Sequence, residues 1–157
     1  MTRDEVDGRG DRAHDGGVSS ACDALTCDLI GETLDAVASR AEVLAVASVC
    51  DESGCRVTCE FADDGPEECV RAAREWVSTC AKRAADGLKG SPTSYSIVFE
   101  GAVADETGAY RDALIAEFGD AGAETAYSAF VEVSSLSDGM DLSWSDPRPA
   151  GEVHPLL

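Results

Sequence analysis

Seven thiols stand out as reactive groups in this 157-residue chain: Cys22, Cys27, Cys50, Cys55, Cys59, Cys69 and Cys80. Thiolates ligate zinc and iron–sulfur clusters and act as nucleophiles. The spacing does not suit a metal. Between residues 50 and 69 it runs C-x4-C-x3-C-x9-C, no CxxC occurs, and the two histidines, His14 and His154, lie near opposite ends. Free cysteine is commonly a small buried hydrophobe, and periodicity supports that reading here. Cys55 and Cys59 fall on one face of a strand, Cys69 and Cys80 on one helix stripe, and Cys22 and Cys27 on opposite edges of another helix's apolar face. No metal and no cofactor is assigned.

Cys50 and Cys55 flank the turn Asp51-Glu52-Ser53-Gly54. A symmetric four-residue hairpin would set them face to face, so they are the candidates for a redox switch. An odd total argues against a full disulfide framework, and a cytosol keeps thiols reduced. Among the acids, Asp112 alternates with Tyr110, Leu114 and Phe118, and a carboxyl among large apolar groups could serve a reaction. The ordinary alternative is a solvated acid at a strand end. No GxSxG, HExxH, Walker A or GxGxxG pattern is present. Both histidines fall in expected tails, which leaves no histidine placed as a general base.

Charge narrows the setting. Asp and Glu number 31 against 12 Lys and Arg, a formal net charge of -19, and only Lys82 and Lys89 are lysines. Self-repulsion of that size opposes a compact state at low ionic strength. At ~1 M salt the Debye length shrinks to about 3 Å, and the charge becomes tolerable. The composition resembles cytosolic proteins of extreme halophiles. Phosphate binding needs clustered cations, whereas Arg71 and Arg74 sit among Glu67, Glu68 and Glu75, so nucleic acid is not expected as a partner. Neither a secretory signal nor an apolar run of membrane-spanning length is visible, and a cytoplasmic location is expected. Residues 1–18 read as a disordered acidic tail; the Arg9-Gly10-Asp11 within it is taken as chance.

The elements that would position these groups follow from periodicity. Ser20 can cap a helix running to about residue 40, with Thr26, Ile30, Thr33, Leu34, Val37 and Ala41 at helical spacing. Residues 43–50 are a continuous apolar run, as for a strand buried on both faces, and 55–61 alternate cleanly. Asp64-Gly65-Pro66 opens a second helix whose apolar stripe is Cys69, Ala73, Trp76, Val77, Cys80 and Ala84. Strands are expected at 94–104, 109–118 and 124–133, joined by hairpin-like turns. The prediction is an α+β domain over 19–134 with element order α-β-β-α-β-β-β. Its antiparallel sheet would have about five strands, with both helices on one face. The order is similar to that of small dimerising scaffold domains of the roadblock and longin type, by element order alone; no residue motif carries the resemblance.

One surface remains. If the helices cover the face bearing Val57, Phe61, Tyr95, Ile97 and Phe99, the other bears Val98, Ile115 and Phe130 within a polar rim, a composition suited to a partner. The segment 135–157 reads as an extended tail packing on the domain or on a partner. Met140, Leu142 and Trp144 alternate with polar residues, and Trp144 has its natural berth on that strip or on a sheet edge. The favoured function is a non-catalytic interaction or scaffold domain that binds a protein partner or a second copy of itself. The alternative is a small enzyme or thiol-based redox protein using Cys50 and Cys55 or Asp112.

Overall fold

A computed structural model describes residues 17–39, 44–83, 86–135 and 142–157. All but Gly17 and Val18 of the expected N-terminal tail lies outside these residues, as do Ala41, Val43, Ala84 and Met140. The chain folds as α1 (Ser20–Ala38), β1 (Ala45–Asp51), β2 (Arg56–Phe61), α2 (Pro66–Lys82), β3 (Pro92–Ala104), β4 (Tyr110–Asp120), β5 (Ala126–Ser135), β6 (Leu142–Trp144) and β7 (Arg148–Val153). This is the expected α+β class and order, with two further strands from the C-terminal segment. The sheet is antiparallel, ordered β2-β1-β3-β4-β5-β6, with β7 also on β5. β6 and β7 pair successive stretches of one edge of β5, Ser135–Val133 and Phe130–Ala126. Among the described residues no helix is long and apolar enough to cross a membrane.

The helices lie on opposite faces, not on one as the short connections suggested. Leu29, Ile30 and Leu34 of α1 pack with Val46, Val98, Leu114, Ala116 and Val131. Cys69, Val70, Ala73, Val77 and Cys80 of α2 pack with Ala45, Ala47, Val49, Tyr95 and Ile97. Alternation along β1 sends these two sets to opposite sides. The cause is topological. β2 and β3 both flank β1 antiparallel, so they run parallel to each other, and α2 is the crossover that joins them over one face. The other face of β1 still needs cover, and α1 supplies it. Every residue of β1 is buried.

Helix ends follow local chemistry. Ser19, one residue before the expected cap, accepts from the Cys22 N–H at 3.1 Å. Its own N–H and hydroxyl donate to Asp120 at 2.7 and 2.6 Å, and Ser94 donates to the same carboxylate at 3.0 Å. The start of α1 is thereby tied to the end of β4. In α2, Gly65 precedes Pro66, and Glu67 and Glu68 face the positive end of the helix dipole. Trp76 meets Phe61 edge-on at 6.3 Å.

Two hairpins repeat one turn. In Asp51-Glu52-Ser53-Gly54 and Asp105-Glu106-Thr107-Gly108, glycine takes φ +92° and +88°, values that L side chains rarely adopt. Each aspartate Oδ1 accepts from the N–H and hydroxyl two residues on and from the N–H four residues on. Asp51 also accepts from the Lys89 and Gly90 N–H groups. These donors hold the Asp51 carboxyl well below its ordinary value and lower that of Asp105 to about 2. The left-handed glycine makes a three-residue loop with a bulge. That bulge shifts the strand register by one residue from a symmetric four-residue turn.

Candidate interaction surface

The register decides which expected site residues meet. Cys50 opposes Arg56, not Cys55. Cys50 is buried on the α1 face, and alternation sends the half-buried Cys55 toward the α2 face. The pair expected to form a redox switch is therefore split by the bulge at Gly54. Val98 opposes Ala116, whereas Ile115 opposes Phe99 and Phe130. Val98 is 0% exposed beneath α1, while Ile115 and Phe130 are half-buried on the α2 face. The expected strip of Val98, Ile115 and Phe130 is thus two separate groups, divided by the bulge at Gly108. Ile115 seats itself against Gly101, where an added Cβ would come within 2.6 Å of its Cδ1.

Asp112 is exposed, on the α1 face with Tyr110 and Leu114 as alternation requires. It lines a recess of about 230 Å³ with Val37, Glu100 and Val133. No apolar box encloses it. Five of the thiols are poorly disposed to ionise. Burial and the nearby Asp120 charge push Cys22 up to about 12, and burial raises Cys27, Cys50, Cys59 and Cys80. The thiolate is the reactive form, so these groups react less readily than a free cysteine. Among the described residues no three His, Cys, Asp or Glu side chains converge on a metal-sized site.

What the fold does assemble is a surface along the flank of α1. That helix lies over β1, β3 and β4 and reaches Val131 of β5, while the C-terminal strands extend the sheet beyond β5 at its edge. On this face β5 presents Tyr127, Ala129, Val131 and Val133; β6 adds Trp144 opposite Val133, and β7 adds Glu152 opposite Tyr127. At one end, between α1 and the β5–β7 edge, lies an open groove of about 770 Å³. At the other, past the last turns of α1, stand Tyr110 and Trp144. They are 77% and 53% exposed, the large apolar side chains most open to solvent among the described residues. They lie on one face of the sheet, two strands apart and offset by two residues along the strands, or about 12 Å at ordinary strand spacing.

Trp144 was legible as an anchor, and its strand does pair with a sheet edge in the same chain, but its ring stays half open to solvent. The sequence pattern marks Tyr110 only as a neighbour of Asp112. Its exposure follows from its place at the start of β4, directly after the turn and beyond the reach of α1. Ion pairs brace the frame on both sides. Arg56 makes two bonds to Glu32 of α1 at 2.9 and 3.1 Å and one to the Ser48 hydroxyl. On the opposite face Arg74 of α2 grips Glu117 of β4 at 2.6 and 2.9 Å. Comparison with known protein families, curated proteins and solved structures finds no match.

Proposed function

We propose that this protein is a non-catalytic interaction and scaffold domain of a high-salt cytosol, and that it associates with a second copy of itself through the Tyr110–Trp144 end of the α1 face. The observation that carries the reading is the pair of exposed aromatics on one face, beside half-buried Val37 and Val133. Tyr and Trp are enriched where binding energy concentrates, because each buries a large rigid ring at small entropic cost. A two-fold axis through such a patch sets the same apolar groups against each other, so one surface serves both partners.

Face-to-face contact fits better than edge pairing. β7 carries Pro149, a bulge between Ser128 and Ala129 on its partner and Gly151 at φ +135°, features that blunt a strand edge. The β2 edge carries the charged Arg56 and Glu60. With -19 on each copy, association requires salt, and a Debye length of about 3 Å at 1 M removes most of the repulsion. Sedimentation velocity over a concentration series in about 3 M KCl tests the reading. A dimer is expected for the native chain. The double variant Tyr110→Ser, Trp144→Ser should be a monomer that melts as before. A native chain that stays monomeric to about 0.1 mM overturns it.

A further inference from the structure

The groove at the other end of the α1 flank has a different character. Its floor is aromatic: Phe118 and Tyr127 are direct cross-strand partners, with ring centroids 6.4 Å apart and planes inclined by 37°. Its wall is α1, which contributes Thr26, Cys27 and Ile30. Asp23, on the first turn of α1, and Glu152, opposite Tyr127 on β7, line it as exposed carboxylates. Neither has an ion-pair partner among the described residues. Arg148 also borders the groove, but it pairs opposite Phe130 on the α2 side and sends its guanidinium to Glu132 at 3.7 Å.

We propose that this groove binds a small organic cation with a flat apolar body. The volume of about 770 Å³ lies within the range of small-molecule sites, which are mostly apolar with a few polar groups that fix orientation. A ring system laid on Phe118 and Tyr127 gains contact area that salt does not screen. An ammonium at its end meets the electron-rich faces of the same rings and the two carboxylates. An anion of equal shape meets Asp23 and Glu152 without compensation. The electrostatic setting is already visible at Cys27, whose thiol is raised by partial burial and then by the Asp23 and Asp28 charges.

Tryptamine and the isosteric anion indole-3-propionate test the proposal on the full chain in about 3 M KCl, followed by amide chemical shifts. Tryptamine should shift signals of α1, Phe118 and Tyr127 and bind about two- to fivefold more tightly than the anion. Asp23→Asn with Glu152→Gln should remove that preference while leaving the melting temperature in place. Tyr127→Ala should weaken both ligands. Equal binding of cation and anion, no shifts at the groove, or a preference that survives the double variant each overturns it. The Tyr110, Trp144 double variant should bind tryptamine as the native chain does, so this result is independent of self-association.

Discussion

Replacing Asp120 with Ala should destabilise the domain far more than a half-buried acid near a strand end ordinarily would. The carboxylate takes three hydrogen bonds, two from Ser19 and one from Ser94. Bonds to a charged acceptor are worth about 1.5–3 kcal/mol each; partial exposure and molar salt reduce this to about 1 each. Ser94 is 1% exposed, and its stranded hydroxyl adds a desolvation cost of about 1 kcal/mol. Ser19 also loses the contacts that aim its oxygen at the Cys22 N–H. The total is about 3–4 kcal/mol, a melting-temperature loss of about 10 °C for a domain this size. Asp120→Asn keeps an acceptor oxygen but turns an amide toward one donor, so about half that loss is expected. Circular dichroism melts in about 3 M KCl measure both, and amide exchange should locate the damage in the first turn of α1, not of α2. A loss under about 1 kcal/mol for the alanine variant, or equal losses for both, would refute the tethering.

Three further outcomes follow. Folding should be cooperative in about 2–4 M KCl and lost on dialysis to about 50 mM; a protein fully folded at the lower salt contradicts the screening argument. Asp105 is held at about 2 by Thr107 and Arg111, so its stabilisation is complete above the unfolded value near about 4 and disappears as pH falls toward 2. Asp105→Asn should flatten that limb of an acid-unfolding curve and leave the neutral region little changed in shape; an unaltered acid limb rules the interaction out. Ellman's reagent on the native protein should reach only Cys27, Cys55 and Cys59, with Cys22, Cys50, Cys69 and Cys80 reacting after unfolding; rapid reaction of all seven contradicts the burial of the latter four.

Most of the elements were legible because their periods are clean. The α1 stripe of Thr26, Ile30, Thr33 and Leu34 is buried, and so are Cys69, Ala73, Val77 and Cys80 of α2. The two mispaired sets share a cause. A single left-handed glycine, Gly54 or Gly108, adds one residue to a strand pairing, and side chains alternate with period two, so every cross-strand partner changes face. That is why Cys50 misses Cys55 and Val98 misses Ile115, while Ile115 and Phe130, joined through a different turn, do pair. The helix placement was recoverable. Residues 45–50 form a strand without polar alternation, which requires cover on both sides. β7 was hidden by Pro149 and Gly151, residues that argue against a strand yet are tolerated on a sheet edge. The groove was invisible because Asp23, Phe118, Tyr127 and Glu152 come from four elements whose meeting depends on that edge.

The central claim, that the Tyr110–Trp144 face is buried between two copies, can be read from one indole. Trp76 is the second tryptophan, packed on Phe61, and Trp76→Phe leaves Trp144 as the sole reporter. Its emission should be measured in about 3 M KCl from about 0.1 μM to 0.1 mM protein, with acrylamide quenching at each concentration. Burial in a dimer predicts a blue shift and falling quenching as concentration rises, both abolished by Tyr110→Ser. Emission that stays red and equally quenched across the series, while sedimentation shows a dimer, would place the interface elsewhere and contradict the account.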